Sequence, residues 1–406
     1  MTDTPSARSL PLDGWMARDD LAMLVAALGL DNIRWVGGAV RDTLLCLPVK
    51  DIDAATPLRP EEVVERCAAA GIRTVPTGIE HGTITAILPG GPVEVTTLRH
   101  DVSTDGRRAT VAFASEWQDD AARRDFTINA LYADPQTGAV HDYFGGLEDL
   151  AARRVRFIGD APQRIREDHL RILRYFRFQA RFGGQPADAQ AETACAELAA
   201  TLKGLSRERI GMEVMNLLGL ADPAPTLARM AQLGVLAVIL PEATPEALPA
   251  LIAAETAQAI APDALRRLAA LIPADVALAE SIASRFRLSG AQKKRLAQAA
   301  ARSDNDAAAD PRALAYRLGL DGALDRLLIA GAGIAPLPDW AIPAFPLKGG
   351  AIVARGVKAG PMVARLLQAT EARWIAEGFP DAMRAEALLD AVLVQEGLLP
   401  VAPARE

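Results

Sequence analysis

The chain has 406 residues, 50% of them hydrophobic, and a formal net charge of −7. That length calls for about two to four domains with a large core, and the acidic balance excludes a protein that coats nucleic acid indiscriminately while leaving room for a local basic surface. Cys46, Cys67 and Cys195 are too widely spaced for a disulfide framework or a cysteine metal cluster, which points to a reducing compartment.

Met1 to Leu12 has no apolar core of signal-peptide length, and no window of about 18 uncharged apolar residues suggests a membrane span. A soluble, cytoplasmic protein is expected. Residues 13–30 carry Trp15, Leu21, Leu24, Val25 and Leu28 at helical spacing, closed by Gly29. Ile33 to Val36 reads as a strand. Gly37 and Gly38 then remove side chains where the backbone turns tightly or meets a ligand. Val40 to Leu47 reads as a helix whose free N–H groups face that turn, a natural phosphate site. Residues 49–54 alternate again, so Asp51 and Asp53 share one face of a strand. Two carboxylates beside a glycine turn suit a divalent cation held over a triphosphate.

Pro60 with Glu61 and Glu62 opens a helix over 60–70. Thr83 to Leu88 and Val93 to Leu98 alternate on either side of Pro89-Gly90-Gly91-Pro92, a strand pair. Glu94 lies between Val93 and Val95 and is costly there unless it faces a site or solvent. It is expected to join Asp51 and Asp53 as a third carboxylate. Residues 99–115 are polar and read as a flexible loop over the same site. Arg123 to Ala130 is expected to start a helix, and a helix-poor stretch runs from Asp142 to Asp160.

Between Arg153 and Arg181 stand nine arginines against three acids, which marks the most basic part of an acidic chain. Within it Glu167 to Arg177 reads as one helix, with Asp168 and Arg171 neighbours on its surface and Arg174 one turn on. Ser206 caps a further helix. After about residue 220, alanine and leucine dominate and strand signals vanish, as in a helical bundle. Lys348-Gly349-Gly350 and Gly356 to Pro361 put glycine turns and lysines at helix starts, which can hold a phosphate backbone.

The pattern hydrophobic-Gly-Gly, twelve residues, Asp-hydrophobic-Asp resembles the nucleotidyltransferase superfamily typified by DNA polymerase β. The ordered blocks Gly37 to Asp42, Asp51 to Asp53, Glu94 to Thr97, Arg123 to Ala130, Glu167-Asp168-xx-Arg171-xx-Arg174 and Arg207 to Ile210 resemble the class II, bacterial-type CCA-adding tRNA nucleotidyltransferases and their poly(A) polymerase relatives. The resemblance covers roughly residues 30–220. It implies that Asp51 and Asp53 bind two Mg²⁺ ions and that Gly37, Gly38 and Arg41 hold phosphates. It implies that Arg124 reaches the nucleotide sugar or phosphates and that Asp125 braces the turn. It further implies that Asp168 and Arg171 read the base of CTP or ATP without a nucleic-acid template, with Arg174 and Arg177 close by. Residues 99–115 would match the family's flexible loop, which goes with adding A after C. One departure is Cys46, where the family usually has glycine; a packing change without loss of chemistry is expected.

The expected architecture is therefore α+β: a mixed-sheet nucleotidyltransferase head over 1–150, a helical base-reading neck over 151–220, and a helical body and tail over 221–406 that grip tRNA. The expected activity is CCA addition to tRNA 3′ ends from CTP and ATP, with no membrane and no obligate protein partner. Poly(A) addition, A-addition alone, small-molecule nucleotidyl transfer and a catalytically inactive RNA-binding protein are the alternatives. The absence of a basic run at the tail disfavours a poly(A) polymerase, and the retention of both Asp51 and Asp53 disfavours an inactive protein. His100-Asp101 and His141-Asp142 look like phosphohydrolase dipeptides, but no histidine follows His169 to complete such a site.

Overall fold

A computed structural model describes residues 8–79, 82–104 and 109–399, at 100–104 and 109–112 by their backbone alone. The chain divides into two units, Met1–Pro245 with Arg285–Arg287, and Glu246–Ser284 with Leu288–Glu406.

The first unit is built on a mixed sheet. In chain order its strands are β1 (Arg34–Val36), β2 (Ile52–Thr56), β3 (Arg73–Gly78), β4 (Thr83–Leu88) and β5 (Gly91–Thr97). A separate hairpin pairs β6 (Arg99–Thr104) with β7 (Ala109–Phe113), and β8 (Leu131–Ala133) and β9 (Val140–Asp142) complete the main sheet in the order β3-β4-β5-β2-β1-β8-β9. Only β2 and β5 run parallel among these neighbours. Helices α1 (Asp19–Leu28), α2 (Gly38–Leu44) and α3 (Pro60–Ala69) belong to this half. The alternation in β4 and β5 works as the sequence suggests: Ile84, Ala86, Val93 and Val95 are buried on one face, and Glu94 is exposed on the other.

Then follow α4 (Trp117–Ala122), α5 (Gly146–Ala151), α6 (Ala161–Glu167), α7 (Arg171–Phe182), α8 (Ala189–Glu197) and α9 (Arg207–Leu218). Asp160, Asp188 and Ser206 cap α6, α8 and α9 with side-chain oxygens, each satisfying a backbone donor that the helix itself cannot.

Four local expectations are corrected. Residues 13–30 are not one helix: a turn of 3₁₀ helix at Gly14–Ala17 ends at an extended Arg18, where α1 begins. Residues 99–115 are not a loop on either side of 105–108, because the flanks pair as β6 and β7; residues 105–108 lie outside the described residues. The helix expected at Arg123–Ala130 is displaced to α4, leaving only a 3₁₀ turn at Thr127–Asn129. There Asp125 binds the Phe126 amide and the Asn129 side chain, a local bonding pattern that competes with helix. Finally, Glu167 to Arg177 is broken. Helix α6 ends at Glu167, Asp168 is extended, and α7 begins at Arg171.

Cys46 explains its own departure. Helix α2 closes with the Cys46 amide on the Thr43 carbonyl at 3.0 Å and the Leu47 amide on the Asp42 carbonyl at 2.8 Å. That pair of hydrogen bonds is a Schellman closure, and it places Cys46 at φ 54°, in the left-handed region. A side chain there is strained. Cys46→Gly is expected to stabilise the protein by about 1 kcal/mol, since the left-handed conformation costs other residues about that much. Thermal melting would show the rise, and Cys46→Ala would not reproduce it.

Among its described residues the second unit holds helices and no strand, with a non-helical stretch over 331–348. One part of its interior is ionic. Arg266 and Arg267 both bind Glu255 at 2.8 Å, and Asp325 takes Arg266 at 3.1 Å and Arg295 at 2.7 Å. All of these except Arg295 are buried, so each charge is tolerated only because it is paired. A second core gathers Leu366, Trp374, Leu389 and Val392, with Phe345 and Phe379 packed against it. Lys348 is the N-cap residue of the short helix Gly349–Val353, and Gly360 precedes the helix Pro361–Ala376.

Candidate active site

The site begins where β1 ends. Gly37 has φ 70° and ψ −119°, and a side chain there would meet the Arg124 guanidinium at 3.4 Å. Glycine is thus required by the backbone, while the neighbour leaves a Cβ only van der Waals room. Val36 pairs with Asp53 across the antiparallel β1–β2 ladder, which brings the carboxylate beside the turn. Asp51 stands exposed just before β2, and Asp53 is half-buried within it.

On the other side Asp53 is in register with Glu94 of β5. Burial, then Glu94 and Asp51, push the Asp53 carboxyl up to about 6, against the pull of Arg124. The like charges of Glu94 and Asp51 outweigh the pull of Arg124 at Asp53, a repulsion that a divalent cation relieves. Among the described residues, however, no three such groups converge as a ready ligand set. Glu94 raises the Asp53 carboxyl through its charge, and a place beside Asp51 and Asp53 as a third carboxylate is proposed for it. Asp51 and Asp53 would hold a cation with ligand positions left open for other oxygens.

Ten residues singled out from the sequence for the nucleotide site line one cleft of about 660 Å³: Gly37, Gly38, Arg41, Asp51, Asp53, Arg124, Asp168, Arg171, Arg174 and Arg177. Glu94 does not. Arg123, Asp125, Asn129 and Phe178 complete the lining, so six arginines face four aspartates. The excess of guanidinium suits a polyanion such as a triphosphate.

These side chains are held by partners that the sequence did not reveal. Arg124 donates to the Tyr132 hydroxyl at 3.0 Å and to Asp120 at 3.1 Å, and Tyr132 donates to the same Asp120 oxygen at 2.6 Å. Asp120 and Tyr132 are buried, so this arm of the site is rigid. Arg41, 6% exposed, donates to Asn129 at 2.5 Å and to Asp42 at 2.8 Å. Asp125 takes the Phe126 amide and Asn129 on one oxygen and Arg174 on the other, at 2.6 Å. Burial alone would raise its carboxyl, but Arg174, Asn129 and the Phe126 amide together hold it down at about 2. Arg177 donates to the buried Glu213 at 2.6 Å.

The break between α6 and α7 changes the relation of Asp168 to Arg171. They are not an ion pair on one helix face. Asp168 accepts the Leu170 amide at 3.1 Å and Arg209 at 2.8 Å. Arg171 donates to Glu167 at 2.7 Å and to the Arg164 carbonyl at 2.9 Å. Arg164 in turn binds Glu167 and the Arg123 and Arg124 carbonyls. A carboxylate and a guanidinium thus line the same cleft, each fixed by a different partner. Together they offer an acceptor and a donor, which suit the edge of a base.

Residues 33–156 match the family described as Poly A polymerase head domain, and residues 188–246 that described as probable RNA and SrmB-binding site of polymerase A. The human CCA tRNA nucleotidyltransferase 1, mitochondrial, is 50% identical over 190 residues, 46% of this chain and 44% of the relative. The CCA-adding enzyme of Leuconostoc citreum (strain KM20) is 42% identical over 186 residues, 45% of each chain. The aligned region thus spans less than half the length of these curated relatives. Among solved structures, the Bacillus stearothermophilus CCA-adding enzyme in complex with CTP aligns with a TM-score of 0.69 at 26% identity, over 93% of this chain and 98% of that one. The Thermotoga maritima CCA-adding enzyme, complexed with tRNA, aligns with a TM-score of 0.67 at 21% identity, over 93% and 99%, a likeness of fold.

Proposed function

We propose that this chain, which belongs to the poly A polymerase head-domain family over residues 33–156 and has the fold of CCA-adding enzymes, is itself a tRNA nucleotidyltransferase that builds CCA on tRNA 3′ ends from CTP and ATP. One observation carries the reading: the paired carboxylates of the sheet and the Asp168/Arg171 acceptor–donor pair line the same cleft. The first half performs nucleotidyl transfer and the second chooses the base. The similarity to CCA-adding enzymes at up to 50% identity supports the choice of tRNA as acceptor.

Asp51 and Asp53 would hold the Mg²⁺ ions, which when bound supply Lewis acidity at the attacking 3′-hydroxyl and the leaving pyrophosphate. The protein's own groups do the rest. Gly37 and Gly38 let the triphosphate approach the backbone, and Arg41 and Arg124 meet its charge. Both guanidiniums are already fixed by Asn129, Asp42, Asp120 and Tyr132, so little ordering is left for the bound state. Asp168 accepts from the exocyclic amino group of cytosine or adenine, and Arg171 donates to the ring acceptor beside it. Uracil and guanine turn a carbonyl toward Asp168 and are repelled. Arg174 and Arg177 keep the adjoining wall positive. The helical unit and the turns at Lys348 and Gly360 are proposed to grip the tRNA body.

Poly(A) addition is the second reading, favoured by the family description of the head. The two separate by substrate. The protein should incorporate labelled CTP into tRNA lacking its CCA end, and should not build long tails on unstructured RNA from ATP alone; the opposite pattern would overturn the proposal. Action in the cytoplasm is proposed with it. Among the described residues no helix is long and apolar enough to cross a membrane, and Cys46, Cys67 and Cys195 are all free thiols.

A further inference from the structure

We propose that Arg181, which lies outside the cleft, is a positioning residue that pins the base-reading helix α7 to the phosphate-turn helix α2 and so governs selectivity among nucleotides. The inference rests on the reading of the cleft as a nucleotide site.

The Asp42 carboxylate of α2 is shared between two arginines. One oxygen accepts Arg41 at 2.8 Å and the other accepts Arg181 of α7 at 3.2 Å. The Phe182 ring lies beneath both guanidiniums, 4.2 Å from that of Arg41 and 4.8 Å from that of Arg181. An aromatic face and a carboxylate thus clasp two cations from two helices. From Arg41 the contacts continue through Asn129 and Asp125 to Arg174, again on α7.

Arg174 and Arg181 are seven residues apart, two turns along one face of the helix. Hydrogen-bonded groups thus tie α7 toward α2 at two points, and the Arg41 guanidinium also rests over the Phe178 and Phe182 rings of α7. The tie at Arg174 lies in the cleft itself; the tie at Arg181 does not. The second polar tie restrains a tilt of α7 that the first alone resists less. The second tie fixes Arg171, at the other end of α7, relative to Gly38 and Arg41. Loss of Arg181 leaves Asp51 and Asp53 untouched and loosens the position of α7 relative to Gly38 and Arg41. Arg181 is 35% exposed, and ion pairs so exposed add little to global stability, so the fold should survive the change.

The test compares full-length wild type, Arg181→Ala and Arg181→Lys on tRNA lacking its CCA end, with CTP and UTP as separate substrates. For Arg181→Ala, the KM for CTP is expected to rise about tenfold and the preference for CTP over UTP to fall about tenfold, the range of a coupling carried by one contact. The kcat at saturating CTP, the Mg²⁺ concentration for half activity and the melting midpoint should stay close to wild type, and lysine should restore most of the KM. An unchanged KM and preference would overturn the inference. So would a loss of kcat at constant KM, or an activity loss that follows a lowered melting midpoint. If wild type extends no tRNA, the functional reading fails, and the inference is then decided by calorimetry with CTP and UTP alone. A narrowed affinity gap in Arg181→Ala supports it, and an equal gap overturns it.

Discussion

Replacing Asp53 with asparagine is expected to abolish nucleotide incorporation while leaving the protein folded. Asp53 sits between the Gly37 turn and Glu94, and its carboxyl is pushed up to about 6 by burial and by Glu94 and Asp51. A carboxylate so placed does nothing for the fold that asparagine cannot do, since its neighbours include two like charges. Removing its charge relieves repulsion, so the melting midpoint should hold or rise. What it loses is a cation ligand. Carboxylate-held cations are worth several kcal/mol of transition-state stabilisation in such transfers, so the loss in kcat should reach about 10³-fold or more. CTP binding should weaken far less, because Arg41, Arg124 and the glycine turn remain. Measured kcat within about tenfold of wild type would show that the cleft's chemistry does not run through Asp53.

Arg171→Ala should have the second-largest effect, and on choice more than on rate. Arg171 is fixed by Glu167 and the Arg164 carbonyl, so its remaining donors face the cleft in a set direction. Sites that hydrogen-bond a substrate group reject analogues lacking it by about 10⁴-fold, because buried polar groups are left unpaired. Without Arg171 half of that recognition is gone, and discrimination between CTP and UTP should fall by about 10²-fold. Glu167 keeps Arg164 as a partner, so the junction of α6 and α7 should persist. Competition between labelled CTP and excess UTP on tRNA lacking its CCA end measures this directly. Undiminished selectivity would assign base reading elsewhere in the cleft.

The sequence was informative where chemistry is local. The Gly37–Gly38 turn and the β4–β5 pair each lie within a few residues, and the structure places them as their patterns suggest; of the two aspartates expected on one strand, Asp53 lies on β2 and Asp51 stands just before it. It was silent where the cause is distant. Nothing near Asp168 announces a helix break, because the apolar spacing runs straight through it. The break is accompanied by Arg209, 41 residues away, which holds Asp168, while Arg164 and Arg171 gather on Glu167. The Asp120–Tyr132–Arg124 cluster was equally hidden, since a buried aspartate and an exposed one look alike in sequence. Residues 99–113 read as loop because polar strands in a two-stranded hairpin carry no hydrophobic alternation. Cys46 was legible only as a departure, and its left-handed backbone gives that departure a physical cost. In the second unit, alanine and leucine announced helices, but not that Arg266, Arg267, Glu255 and Asp325 would lie buried among them.

The most direct test offers three tRNAs, ending before CCA, after C and after CC, to the purified protein with CTP and ATP separately, followed by sequencing of the products. The predicted result is CMP added from CTP to the first two acceptors, and a single AMP added from ATP to the third. Failure to add CMP to either of the first two, or growth of a run of A on the third, would contradict the account.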